Sequence, residues 1–378
     1  MQDLVDQFSS QKLSFEDRCA LIQLNCTKGI GGGMFRKLVE HFETIENLRL
    51  ADRDEILAVK GIGPKSADSL INGLKFEVQQ EFEYAEKHQI SVISIFDKDY
   101  PKSLLALYDP PLVIFMKGKL TREDQLSVAI VGSRSPTTYG KYQAERFALH
   151  LAASGFTIVS GLAYGIDTCA HKGALHGKGR TIAILGHGLG KCYPSENQQL
   201  MEEIAENGAV ISEYLFNSPP KPQNFPNRNR IVAALSLGVF IVEARINSGS
   251  LITARIGAEL GREIFALPGP VNSPESEGTH KLIVEGARLT QKPEDILEEF
   301  GEIETILKPV MNATSKKLTE SLNEDERKVL SMISKTPSHL DDLHLALDYE
   351  ISVLLSYLTL LEIKGVLKSH PGRFYSLI

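Results

Sequence analysis

Groups able to grip a polyanion are concentrated in ten residues, Lys221-Pro-Gln-Asn-Phe-Pro-Asn-Arg-Asn-Arg230. Lys221, Arg228 and Arg230 are cations, Phe225 offers an aromatic face, Asn227 and its neighbouring amides offer hydrogen bonds, and no acid intervenes. Cations interleaved with a ring suit single-stranded nucleic acid, whose bases stack on aromatic side chains while its phosphates pair with Arg and Lys. A solvated loop held open by Pro222 and Pro226 fits the same composition. The chain as a whole carries a formal charge of -7. Nucleic-acid binding would therefore need a local patch rather than bulk charge.

Three further segments carry anion-binding chemistry. In Ala129-Ile-Val-Gly-Ser-Arg134, Gly132 permits close backbone approach, Ser133 brings a hydroxyl, and Arg134 brings a planar fork matched to phosphate. In Ser160-Gly-Leu-Ala-Tyr-Gly-Ile-Asp167, Ser160 and Gly161 suit an anion near a helix start, with Asp167 expected as the helix N-cap. In Asn247-Ser-Gly-Ser-Leu-Ile-Thr253, the residues Asn247, Ser248, Gly249 and Ser250 would present hydroxyls and backbone N–H groups at a helix N-terminus. Glycine at such turns also serves backbone geometry alone, but four such loops on one sheet edge point to a ligand.

The equipment of a nucleotide enzyme is absent from the sequence. There is no G-x-x-x-x-G-K-[ST] run and no G-x-G-x-x-G; Gly186-His-Gly188 has Lys191 where the last glycine belongs. Glu213, Glu243 and His187 are candidates for general acid or base, and Glu213 equally suits an ion pair with Arg228 or Arg230. Cys19, Cys26, Cys169 and Cys192 show no C-x-x-C spacing and no zinc-site pattern. No metal or cofactor is expected, and free thiols in a reducing cytoplasm are the simplest reading. The start, Met1-Gln-Asp-Leu-Val-Asp, lacks the basic run of a secretory signal, and no apolar run approaches membrane-spanning length.

These loops need a scaffold, and 378 residues suggest two or three domains. Residues 86–300 alternate strands and helices. Strands are expected at Val92–Ile95, Leu112–Phe115, Ser127–Val131, Thr157–Ser160, Thr181–Leu185, Ala209–Ser212, Val239–Val242 and Ile264–Ala266. Helices are expected at Lys141–Ala153, Thr168–Leu175, Gln198–Glu206, Arg230–Leu237 and Leu251–Leu260. That alternation predicts an α/β class, an extended Rossmann-like, doubly wound and mostly parallel sheet, with ligands beyond the carboxyl ends of its strands.

Residues 1–85 read as short helices, at Phe15–Leu24, Met34–His41, Arg53–Ala58 and Ser66–Lys75, punctuated by the glycine turns Lys28-Gly-Ile-Gly-Gly-Gly33 and Lys60-Gly-Ile-Gly-Pro64. The second turn resembles a helix-hairpin-helix motif, in which Gly61 and Gly63 would expose N–H groups to a duplex phosphate and Lys65 would add a cation. Such hairpins also serve as packing units. Residues 301–321 read as a linker. Residues 322–378 read as a winged-helix-like domain, with helices at Glu324–Ser334, Leu340–Leu347 and Glu350–Ile363 and a terminal hairpin. The third helix has no Lys or Arg, which favours packing or protein contact over groove reading.

The core resembles the DprA/Smf family, the DNA-processing proteins of natural transformation. The matching runs are Ala129–Arg134, Ser160–Asp167, Phe225-Pro-Asn-Arg-Asn-Arg230, Ser248-Gly-Ser-Leu-Ile-Thr-Ala254 and Phe265-Ala-Leu-Pro-Gly269. The resemblance implies single-stranded DNA binding without catalysis, a homodimer, and hand-over of the strand to RecA with displacement of single-strand-binding protein. It implies that Arg134 clamps a phosphate, that Lys221 and Phe225 supply a cation and a stacking face, that Arg228 and Arg230 line the same groove, and that Asn247–Ser250 cradle a further phosphate. Two alternatives remain open. The strand ends also resemble nucleotide phosphoribohydrolases, though the glutamate of their P-G-G-x-G-T-x-x-E run has no counterpart after Asn247. The other alternative is an adaptor with an inert core.

Overall fold

The computed structural model of the chain describes Val5 and residues 13–27, 29–300, 324–334, 338–347, 349–363, 367–370 and 373–377. The expected linker at 301–321 and the cation Lys28 lie outside the described residues. The chain forms two compact units, residues 1–299 and 300–378.

The first unit is built on nine strands: β1 Ile90–Ser94, β2 Val113–Gly118, β3 Ser127–Val131, β4 Thr157–Ser160, β5 Thr181–Leu185, β6 Gly208–Ser212, β7 Gly238–Ile241, β8 Glu263–Ala266 and β9 Arg288–Leu289. Their order in the sheet is β1-β2-β6-β5-β4-β3-β7-β8-β9. From β6 to β9 every pairing is parallel. β1 and β2 extend the sheet antiparallel. Strands β3 to β7 are buried at every position, as expected of parallel strands covered on both faces. This is the doubly wound, mostly parallel sheet that the alternation predicts.

The chain runs from β3 out to β6 and then returns to place β7 beside β3. The β3/β7 boundary is thus the point where the winding reverses, and there the loops leaving neighbouring strands part to open a crevice.

The helices between these strands are α7 Thr138–Ala153, α8 Ile166–His176, α9 Gln198–Asn207, α10 Asn224–Ala234 and α11 Ser250–Glu259. Helix α10 begins at Asn224 rather than at the expected Arg230. Phe225, Asn227 and Arg228 are therefore helical residues rather than loop residues. Pro226 sits in the first turn, where backbone N–H groups have no intrahelical partner, so the helix tolerates it.

Among the described residues, the short helices α1 Phe15–Cys26, α2 Gly32–Phe42, α3 Ile45–Leu50, α4 Arg53–Ala58, α5 Pro64–Gly73 and α6 Gln79–Lys87 precede the sheet. Side chains knit them to the sheet within the same unit. Arg18 forms a bidentate pair with Asp97. Asn25 accepts from Leu112 N and donates to the Glu213 carbonyl. The Glu81 carboxylate accepts from Phe216 N. The two glycine turns differ. At the first, Gly32 N–H donates to the Asp109 carboxylate, so that hairpin is docked. At the second, Gly61 holds φ +91 and Gly63 caps α5 without a side-chain hydrogen bond.

The second unit packs helices Glu324–Ser331, Leu340–Leu347 and Ile351–Ile363 against a three-stranded sheet of Ser338–His339, Phe374–Leu377 and Leu367–His370. Val329, Leu340, Leu343, Leu354, Leu358 and Leu361 form its core. Three helices and a terminal hairpin make a winged helix. No helix among the described residues is long and apolar enough to cross a membrane.

Candidate nucleic-acid interface

A cavity of about 580 Å³ opens at the β3/β7 reversal. Of the residues expected at a site, Gly132, Ser133, Arg134, Phe225, Arg228, Asn247, Ser248, Gly249 and Ser250 line it. Larger hollows occur elsewhere. One of about 1270 Å³ lies at the opposite strand ends and includes none of the expected residues. Another of about 820 Å³ shares only Asn247 and Ser248 with them. Chemical convergence, not size, singles out the crevice.

The rim is exposed and polar. Arg134 is exposed, and its guanidinium lies over the Phe225 ring at 5.1 Å from the centroid, a cation–π contact. The turn beneath it is fixed by the start of β7's loop: Ser133 N donates to the Glu243 carbonyl, and the Glu243 carboxylate takes hydrogen bonds from Thr137 N and Oγ1. At the α11 start, the Ser248 and Ser250 hydroxyls lie 2.7 Å apart, and Asn229 Nδ2 donates to the Gly249 carbonyl. Asn229 and Arg245 also line the cavity. The sequence reading passed over both, although Arg245 shows the same signal as Arg134: a basic residue just past a strand end. Arg245 is exposed and paired with Glu275 at 2.6 Å.

The floor is buried, and it corrects four expectations. Arg228 is only 4% exposed. Its guanidinium donates to the carbonyls of Gly161 and Ile184, so it braces the loops under the cavity rather than facing a ligand. Gly161 is needed for that brace: a Cβ there would collide with the Arg228 guanidinium. Its N–H is spent on the Asp167 carboxylate, which also accepts from Ala163 N. Ser160 is fully buried, and its hydroxyl donates to the Ile130 carbonyl. Asp167 is not the N-cap; Gly165 holds that place with φ +80, and Asp167 turns back from the first turn of α8. Burial raises the Asp167 carboxyl above its ordinary range, and the Arg228 charge and two N–H donors oppose it.

His171 is buried on the same helix as Asp167. Its Nδ1 meets Thr181 Oγ1 at 2.7 Å, while that hydroxyl donates to the Ile158 carbonyl. The ring therefore donates from Nδ1, and Nε2 is left buried without a partner. Burial pushes its pKa down to about 3.

Other expected residues are placed apart from the cavity. Arg230 forms a bidentate pair with Glu213 and donates to the Asp109 carbonyl, so it ties α10 to the sheet instead of lining the groove. Lys221 and Asn227 are exposed outside the cavity lining. Of the catalytic candidates, Glu213 is engaged by Arg230 and Glu243 by Thr137, while buried His187 meets the Gly188 carbonyl through Nδ1 and leaves Nε2 without a hydrogen-bond partner. Gly186, part of the incomplete G-x-G, seats Phe225, whose ring lies 2.9 Å from where a Cβ would be. Beyond Phe225 come two exposed rings. Tyr193 lies 5.7 Å from Phe225 between centroids, and Tyr164 lies 6.4 Å from Tyr193.

Comparison with known proteins gives the same architecture. Residues 91–301 match the family described as DNA recombination-mediator protein A, residues 313–373 the DprA winged helix domain, and residues 21–76 a SAM-like helix-hairpin-helix tandem. The Smf protein of Synechocystis is 35% identical over 92% of this chain and 96% of its own. The Smf protein of Escherichia coli is 42% identical over 65% of this chain and 67% of its own. The structure of DNA processing protein A (DprA) from Streptococcus pneumoniae superposes with a TM-score of 0.65 at 35% identity, covering 76% of this chain and 99% of that one. A Helicobacter pylori DNA processing protein A, described for its single-stranded DNA binding mode, gives 0.51 at 35% identity over 57% and 96%. With its core family matched over more than half of the chain and a relative matched over nearly all of it, this chain belongs to the DprA/Smf family.

Proposed function

We propose that the β3/β7 crevice holds single-stranded DNA, and that the protein binds and hands on the strand without altering it. The observation that carries this reading is the Arg134–Phe225 pair: an exposed cation and a stackable ring share one groove rim, beside the hydroxyls of Ser248 and Ser250. A phosphate would draw the exposed guanidinium off the ring, and a base would take its place. The Helicobacter relative's single-stranded DNA binding mode supports the same assignment. The engagement of Glu213 and Glu243 by structural partners supports binding over catalysis. In this reading the protein works as a homodimer that protects incoming DNA and loads RecA on it, displacing single-strand-binding protein. The second hairpin, with Gly61, Gly63 and Lys65, adds a sequence-independent contact to duplex phosphates.

The test is a gel-shift comparison of single- and double-stranded oligonucleotides, together with incubation of the protein with nucleoside monophosphates. Tighter single-strand binding and no release of free base are expected. Release of base that stops on changing Glu213 or Glu243 would establish an enzyme instead.

A further inference from the structure

The rim does not end at Phe225. Tyr193, from the β5–α9 connection, and Tyr164, from the β4–α8 loop, continue it, each 43% exposed. The ring planes turn along the row, by 44° from Phe225 to Tyr193 and 75° from Tyr193 to Tyr164. The Tyr164 hydroxyl donates to the Glu196 carboxylate at 2.8 Å, which pins the last ring.

The centroid spacings of 5.7 and 6.4 Å exceed the ~3.4 Å rise of a stacked strand. Rings so spaced and so turned cannot accept a continuous base stack. They match bases that have left one another, as in an extended single strand, and a duplex cannot present its base faces to them. The charges along the row are ordered as well. Arg134 stands at one end and the Glu196 carboxylate at the other, so phosphate is attracted to the first end and repelled from the second.

We propose that Tyr193 and Tyr164 extend the strand site past Phe225 as a base-stacking track for unstacked bases of single-stranded DNA, with Glu196 closing its far end. The proposal rests on the assignment of the crevice to single-stranded DNA. The track, rather than the phosphate contacts, then supplies the discrimination against duplex.

The chain has no Trp and 11 Tyr, so tyrosine emission reports the contact directly. Oligothymidylate should quench the wild-type emission. At saturation the double variant Tyr164→Phe/Tyr193→Phe should show a much smaller quench, whereas Tyr108→Phe, which removes a ring 92% exposed elsewhere, should quench as wild type does. Tyr164→Leu/Tyr193→Leu should bind about fivefold to a hundredfold more weakly for each ring that stacks a base, with the salt dependence unchanged, because no phosphate contact is lost. If the Leu variant fails to fold by circular dichroism, the quench of the Phe variant decides. A full quench in the Phe variant, or wild-type affinity in a folded Leu variant while Arg134→Ala binds weakly, would end the strand site at Phe225 and overturn the track. If the wild type binds no oligothymidylate, the crevice assignment fails and the track with it.

Discussion

Arg134 and Arg228 stand at the same end of the same sheet and line the same cavity, yet one is exposed and the other is 4% exposed. Arg134 rests on a ring face, from which a phosphate can draw it. Arg228 is locked between two carbonyls above Asp167. In the proposed reading the rim is where a strand is met, and the floor is what keeps the rim in place. The difference shows that a cation beside a ligand site is not thereby a ligand contact. Burial and committed hydrogen bonds decide which it is.

The sharpest way to break this contrast is to cut the floor. Arg228→Ala leaves the Gly161 and Ile184 carbonyls without their donor and Asp167 without its counter-charge. Leaving a buried acceptor unpaired costs about 1–3 kcal/mol, so the urea midpoint should fall clearly. A variant that unfolds like wild type but no longer binds DNA would move Arg228 to the rim. Phe225→Ala should do the reverse. Loss of one stacking face costs about 1–3 kcal/mol of single-strand affinity, with stability less affected because the ring is only half-buried. Equal affinity for wild type and variant would remove Phe225 from the site.

Acid should reach His171 on α8 before the rim. The folded His171 pKa is lowered to about 3, against about 6.5 in the unfolded chain. Above pH 6.5 both states are neutral and the full stability is present. Between 6.5 and 3 only the unfolded state takes up the proton, so stability falls by about 1.4 kcal/mol per pH unit from this group. His171→Gln should flatten that part of the pH–stability curve, and an unchanged slope would show that His171 is not the group responsible. The smallest effect belongs to the second hairpin. Lys65→Ala should reduce the salt dependence of duplex binding by about 0.9 if its charge meets one phosphate, and leave single-strand binding alone. A loss on single strands instead would join the hairpin to the groove.

Much of this division was hidden in the sequence, and the reasons are local. The buried strands were legible because Ser127–Val131, Thr157–Ser160 and Thr181–Leu185 are short β-branched runs bounded by turn residues, and their observed limits are identical. The start of α10 was not, because Phe225-Pro reads as a loop when the proline's place in the first turn is unknown. The Gly132–Arg134 and Asn247–Ser250 loops were legible as a site because strand–helix alternation brings their ends to one edge. Arg228 was misread for a different reason. The partners of Arg228, Gly161 and Ile184, are 67 and 44 residues away, and spacing within one segment carries no sign of them, whereas the pairing of Arg230 with Glu213 is one of the two roles the sequence offers for Glu213. The two-residue, exposed strand β9 leaves no hydrophobic pattern to detect.

The central claim is that Arg134 meets a phosphate of a single strand at the rim. It is tested most directly by titrating labelled single-stranded DNA with wild type and Arg134→Ala over a series of salt concentrations. The account predicts weaker binding for the variant, by about 1.5–3 kcal/mol for a lost charge-assisted hydrogen bond, and a log–log salt slope shallower by about 0.7. Two coincident lines would contradict it.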